Sequence, residues 1–219
     1  MSRVAATADL HGYLPEIPPC DVLLIAGDVC PVYDHSVGFQ RRWLEGTFAD
    51  WLGTLDAGTI VGIAGNHDFA AQADPALMRG LPWRYLCDES TVVDGIAVHG
   101  APWTPRFNDW AFMRDDPDLG QVWARIPDDV DVLVTHGPPL GRGDLVVNGR
   151  HAGSETLAQR VAELDRLRLH VFGHIHEAGG SRDTLGAALV ANVSHVDFHY
   201  RPARPPVVFE LESLQRRRA

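Results

Sequence analysis

Five short apolar runs, each stopped by a polar cluster, limit what this chain can fold into more than any other feature. Residues 4–8 run into Asp9-Leu10-His11-Gly12, residues 21–26 into Gly27-Asp28, and residues 59–64 into Gly65-Asn66-His67-Asp68. Residues 131–135 end at His136-Gly137-Pro138-Pro139, and residues 169–172 at Gly173-His174-Ile175-His176. Runs that are apolar throughout, rather than alternating, read as strands buried on both faces. With helical patterns between them they imply an α/β protein with a largely parallel sheet. Open sheets of this kind bind ligands beyond the carboxyl ends of their strands. The five clusters can therefore meet on one rim.

Helical spacing is clearest at 36–56, where Val37, Trp43, Leu44, Phe48, Trp51 and Leu52 share a face. A short helix is expected at 75–79. Another is expected at 154–167, with Ser154 as N-cap, Glu155 in its first turn and Leu157, Val161 and Leu164 facing inward. Thr91-Val92-Val93 and Ile96-Ala97-Val98 flank Asp94-Gly95, a two-residue hairpin linker. Residues 185–193 and 207–211 read as closing strands, the second preceded by a proline-rich loop at 201–206. No repeat, low-complexity stretch or linker interrupts the pattern. One domain over residues 1–219 is the expectation, a size ordinary for a single domain.

Composition excludes several function classes. Hydrophobic residues make up 45% and charged residues 22%, as in soluble globular proteins. No apolar run approaches the ~20 residues that span a bilayer. The strand pattern begins almost at Met1, leaving no room for a signal peptide, so the expected location is cytoplasmic and no membrane partner is expected. Cys20, Cys30 and Cys87 lack metal-type spacing and read as free thiols. Cys30, two residues after Asp28, reads as a small buried side chain, with a site role as the alternative. Asn192-Val193-Ser194 is a glycosylation sequon that means little without a secretory route.

All 19 basic residues are arginine and the net charge is −10. Without lysine there is no P-loop lysine and no Schiff base. An acidic chain also lacks the basic surface that a nucleic-acid polymer demands. Arg216-Arg217-Arg218 reads as a solvated end, and part of the negative charge suits bound cations.

The groups that can converge are Asp9, His11, Asp28, Asn66, His67, His136, His174 and His176. Taken singly, each has an ordinary explanation: an aspartate beside glycine caps a turn, and a lone histidine is a core or surface residue. His174 and His176, two apart in extended backbone, point to the same side. Gathered on one rim, all of these groups must lose water while the carboxylates repel one another. Two divalent cations remove that difficulty.

In order and spacing, Asp9-x-His11, Gly27-Asp28, Gly65-Asn66-His67-Asp68, His136 and Gly173-His174-x-His176 resemble the signature of the calcineurin-like metallophosphoesterases. The stretches Trp103 to Phe112, Thr135 to Leu140 and His170 to Glu177 look like the small MPPED-type branch, which is similar to cyclic-nucleotide phosphodiesterases. The resemblance implies a four-layer α/β/β/α sandwich. It implies that Asp9, His11 and His176 hold one ion, that Asn66, His136 and His174 hold the other, and that Asp28 bridges them.

By the same resemblance His67 is the non-metal catalytic histidine, with Asp68 either orienting it or capping the loop. The imidazole-rich set suits manganese, iron, zinc, cobalt or nickel, with manganese favoured. The implied activity is hydrolysis of cyclic nucleotides or other small phosphodiesters by a metal-bridging hydroxide. A phosphomonoesterase or nuclease of the same fold and a non-catalytic nucleotide-binding scaffold are the alternatives. A Ser/Thr protein phosphatase is disfavoured, because Gly27-Asp28-Val29-Cys30-Pro31-Val32-Tyr33 departs from Gly-Asp-x-x-Asp-Arg-Gly. For substrate contacts, Asn66 and His67 are joined by Arg150 or His151, which could meet phosphate. Trp103, Phe107 and Trp110 either stack a base or pack as an apolar loop.

Overall fold

Strands that are apolar throughout need cover on both sides, and the chain supplies it with two sheets laid face to face and helices outside each. The computed structural model describes residues 1–212, so the Arg216-Arg217-Arg218 tail lies outside the described residues. In chain order the strands are β1 (Ser2–Thr7), β2 (Cys20–Ala26), β3 (Ala57–Ile63), β4 (Arg84–Tyr85), β5 (Glu89–Val93), β6 (Ile96–Ala101), β7 (Thr104–Pro105) and β8 (Met113–Arg114). They continue with β9 (Val132–Thr135), β10 (Leu169–Phe172), β11 (Arg182–Leu185), β12 (Ala188–Asn192) and β13 (Val207–Leu211). One sheet has the order β13-β1-β2-β3-β4 and the other β11-β12-β10-β9-β6-β5, with β7 and β8 paired separately. Interior neighbours run parallel, while β13, β11 and β5 pair antiparallel at the edges.

The period of two along each strand divides its side chains between two cores. Val4, Val22, Leu24, Val61 and Ile63 meet Val98, Val132, Val134, Leu169 and Val171 between the sheets. On the outer face of the first sheet, Leu23, Ile25 and Ile60 pack against Leu44, Phe48 and Leu52 of a helical stretch. That stretch comprises α1 (Val37–Trp43), a π-helical turn (Leu44–Phe48) and α2 (Ala49–Thr54), and α3 (Phe69–Ala73) and α4 (Pro75–Arg79) complete the layer. On the other side, Leu133, Phe172 and Val190 pack against Leu119 and Trp123 of α5 (Asp116–Trp123) and Leu157 and Val161 of α6 (Glu155–Glu163). The architecture is the four-layer α/β/β/α sandwich.

Three sequence expectations change. The largely parallel sheet read from the apolar runs is divided between two mixed sheets, as the resemblance implied, because an apolar run does not reveal whether a helix or another sheet covers it. The helix expected at 154–167 ends at Glu163, although its Ser154 cap holds, with Oγ accepting from Leu157 N at 3.0 Å. The strand expected at 185–193 is β12 (Ala188–Asn192), its start taken up by a turn at Gly186 that pairs it with β11. Among the described residues no helix is long and apolar enough to cross a membrane.

The parallel strands of both sheets deliver their carboxyl ends to one rim. There an isolated bridge between Ala8 and Ser194 ties β1 to the end of β12. Leu24, 1% exposed between the sheets, carries part of the packing that holds this rim. Leu24→Ala is expected to cost about 2–5 kcal/mol in denaturant unfolding, whereas Val92→Ala on edge strand β5, 50% exposed, changes it by less than about 0.5 kcal/mol. Equal shifts for the two variants would contradict this placement of the core.

Candidate metal centre

The turns after the strands are tight and locally strained. Asp9 (φ 54), His11 (φ 46), Asp28 (φ 52) and His174 (φ 68) are all left-handed, at about 1–2 kcal/mol each for a residue bearing a Cβ. Strain of this sort collects where surrounding structure holds a functional geometry in place. Gly27, at φ 90, lets the chain pass where a Cβ would stand 2.5 Å from Ala64 O and 2.8 Å from His136 Nδ1. A Cβ on Gly173 would collide with the Asp9 carboxylate. The ligand-bearing loops are thus pressed together at backbone distance.

Two sets of donor atoms result. In the first, His11 Nε2 and His176 Nε2 face each other at 3.1 Å, and His176 Nε2 is 3.5 Å from Asp9 Oδ1. In the second, His136 Nε2 lies 2.9 Å from Asn66 Oδ1 and 3.2 Å from Asp28 Oδ2. Asp28 Oδ2 also lies 3.8 Å from His11 Nε2, so one oxygen looks at both sets. The His174 ring is 5.1 Å from that of His136. Donors about 2.0–2.2 Å from an ion, and separated by tetrahedral or octahedral angles, stand about 2.8–3.6 Å from one another. The spacings within each set fit that requirement. Asp9-His11-His176 and Asp9-Asp28-His136 each bring their ligand atoms within 4.8 Å. His136 Nδ1 sits 2.9 Å from Ala26 O, a contact that fixes the ring and leaves Nε2 as the donor to a metal.

The protonation states follow from burial opposed by neighbouring charge. Burial alone would raise the Asp28 carboxyl, but His136 and His67 beside it outweigh that and hold it well below the usual range. Asp9 is held down in the same way, chiefly by His176. Burial drives His11 and His174 down to about 3, so both are neutral, the form that binds a metal. For His136 burial is overcome by the Asp28 carboxylate and the imidazole is raised to about 9, while Asp9 raises His176.

The side chains around His67 resolve two sequence alternatives. Asp68 accepts from Gly65 N (2.8 Å), Cys30 N (2.9 Å) and Val29 N (3.2 Å), so it staples the loop and does not orient the His67 ring. Burial, with the repulsion of Asp28, raises its carboxyl to about 6. Cys30 is buried, and burial pushes its thiol well above the ordinary value, as suits a small packing residue. His67 is fixed by its own N–H to Asp28 Oδ1 (2.7 Å) and by Gln40 Nε2 donating to its carbonyl (2.7 Å). Its Nδ1 lies 3.1 Å from His35 Nε2.

Two adjoining cavities open over the centre. The smaller, about 150 Å³, is lined by Asp28, Asn66, His67, His174, His176, Glu177 and a wall of Phe107, Trp110, Phe198 and Tyr200. The wider, about 340 Å³, shares Phe107 and His174 and extends to Val146 and Arg150. Trp103 and His151 line neither, which corrects their expected contact with substrate. The Trp103 indole donates to Asp88 Oδ1 (2.8 Å) and lies under the Arg114 guanidinium, while His151 Nδ1 is bound to the buried Asp144 carboxylate at 2.7 Å.

Sequence reasoning missed Tyr200, whose ring lies 4.9 Å from those of both His11 and His176, along with His35, Gln40, Asn192 and Ser194. None carries a local signal apart from the sequon that contains the last two.

Known proteins resemble this chain over most of its length. Residues 2–178 match the family described as Calcineurin-like phosphoesterase. Metallophosphoesterase domain-containing protein 1 of Homo sapiens is 31% identical, over 96% of this chain and 71% of that protein. UPF0046 protein T07D4.2 of Caenorhabditis elegans is also 31% identical, over 90% of this chain and 56% of its own length. The chain belongs to the calcineurin-like phosphoesterase family, whose members are metal-dependent phosphoric ester hydrolases.

Proposed function

We propose that this protein hydrolyses small phosphodiesters, cyclic nucleotides among them, at a pair of divalent transition-metal ions, manganese foremost. The observation that carries the reading is the position of Asp28 Oδ2, 3.2 Å from His136 Nε2 and 3.8 Å from His11 Nε2. One carboxylate oxygen facing two donor sets is the arrangement a bridging ligand needs. Asp9, His11 and His176 would hold one ion, and Asn66, His136 and His174 the other. When bound, such ions neutralise phosphoryl charge and lower the pKa of water toward neutrality.

The protein's own groups orient the ester. Burial lowers the His67 pKa, so the ring is neutral near pH 7. In the tautomer whose Nδ1 accepts from His35 Nε2, the proton of the neutral ring is on Nε2, which donates a hydrogen bond to the phosphoryl or leaving oxygen. Of the three aromatic residues that could stack a base, Trp110, 4.5 Å from His67, and Phe107 offer ring faces to the organic group of the substrate. Arg150, in the wider cavity, supplies a guanidinium to a phosphate oxygen. The cavity volumes and the net charge of −10 favour a small ester over a polyanionic chain.

A manganese-loaded sample assayed on bis(p-nitrophenyl) phosphate, 2′,3′- and 3′,5′-cyclic nucleotides and matched monoesters is expected to turn over the diesters and to stop with chelator. Preference for monoesters would make it a phosphomonoesterase, and two bound ions without turnover would make it a binding module.

Variants separate the roles. His67→Ala should keep both ions and lose about 10²–10⁴-fold in kcat, whereas Asp28→Ala should lose metal and activity together. Metal analysis finding both ions in Asp28→Ala would remove its bridging role.

Acidity supplies another test. With His136 raised to about 9 in the ion-free protein, an ion at its Nε2 must displace a proton. Apparent Mn²⁺ affinity is therefore expected to rise from pH 6 to 8, by up to about tenfold per unit for each proton released. Titrations that give the same affinity across this range would contradict the ligand assignment.

A further inference from the structure

Asn192 and Ser194, the two polar ends of the sequon, are each only 1% exposed. The Asn192 amide donates to Ile175 O (2.9 Å), Gly143 O (3.0 Å) and Gly173 O (3.4 Å), and its Oδ1 accepts from Ser194 N at 3.1 Å. An amide so enclosed is closed to glycosylation in the folded protein. The parallel pairing of β10 with β12 sets Phe172 beside Asn192, so the amide falls against the loop that carries His174 and His176.

The Ser194 hydroxyl has one proton and two acceptors in reach, Asp9 Oδ2 and Asn192 Oδ1, the latter at 2.8 Å. The carboxylate is the stronger acceptor. The His174 N–H forks across the Asp9 carboxylate, 2.9 Å from Oδ2 and 3.1 Å from Oδ1. Ser194 reaches Oδ2 alone, so Oδ2 carries two scaffold partners, while Oδ1, with only a share of the His174 N–H, faces His176 Nε2 at 3.5 Å.

We infer that Asn192 and Ser194 are positioning residues of the metal centre. Ser194 fixes which oxygen of Asp9 is presented to an ion, and Asn192 pins the backbone at 173–175 so that His174 and His176 meet that oxygen. The inference rests on the metal-dependent reading above. A carboxylate free to rotate presents either oxygen or both, and holding one in place raises affinity by restricting it before the ion arrives. Outer hydrogen-bond partners of metal ligands typically contribute about 10–100-fold in affinity.

The test is calorimetric titration of metal-free wild type, Ser194→Ala and Ser194→Thr with Mn²⁺, alongside the melting temperature of each metal-free protein. Wild type is expected to bind two ions. Ser194→Ala should bind one of them about 10–100-fold more weakly, with the other little changed and metal-free melting within about 2–4 °C of wild type. Ser194→Thr, which keeps the hydroxyl, should restore the weaker site. Wild-type affinity at both sites in Ser194→Ala, or equal loss of both with a lowered melting temperature, would overturn the positioning role. Wild type that binds no ion would overturn the metal-dependent reading itself, and this role with it.

Discussion

Two dehydrated carboxylates, Asp9 and Asp28, lie at one rim with no arginine among the described residues paired to them, and the architecture depends on how that charge is met. In the ion-free protein the answer is a proton: Asp28 raises His136 to about 9 and keeps it charged 3.2 Å away. The same pair of atoms is what a divalent ion would bind, so the proton stands where the metal is proposed to sit. Neighbouring His11 and His174 remain neutral chiefly because burial strips them of water, and for His174 the charge on His136 adds to this.

Such a rim needs a rigid support. Four ligand candidates sit in left-handed backbone, a strain the turns would relax if they were free. They are held because β1, β2, β3, β9 and β10 are pinned by a core shared between two sheets, and because glycines at 27, 65 and 173 let the loops meet without side chains between them. Asp68 contributes in the same sense, gathering the N–H groups of Val29, Cys30 and Gly65 onto one buried carboxylate. The stability of the sandwich and the geometry of the centre are therefore one problem: packing far from the rim fixes atoms at it.

Much of this was legible in the sequence, for a reason of chain geometry. Parallel strands send all their carboxyl ends the same way, so clusters at 9–12, 27–28, 65–68, 136–139 and 173–176 had to approach one another. The strand residues announce themselves by unbroken apolar composition. What stayed hidden depends on contacts between distant segments. Ser194 reaches Asp9 across 185 positions and His35 reaches His67 across 32, and neither leaves a mark in local pattern. Trp103 misled because an indole in an aromatic stretch looks the same whether it faces a cavity or donates to Asp88, as it does here. His151, an alternative to Arg150 as a phosphate contact, is instead held by Asp144, a pairing that local sequence does not reveal. The division into two sheets was likewise invisible to composition and came only with the family resemblance.

The central claim is that separate strand ends assemble two adjacent ion sites joined by Asp28. The most direct measurement is a crystal structure of the manganese-soaked protein, with the ions located by anomalous scattering. The account predicts two peaks, one among Asp9, His11 and His176 and one among Asn66, His136 and His174, with the Asp28 carboxylate touching both. A rim that stays empty under saturating manganese, or ions found away from Asp28, would contradict it.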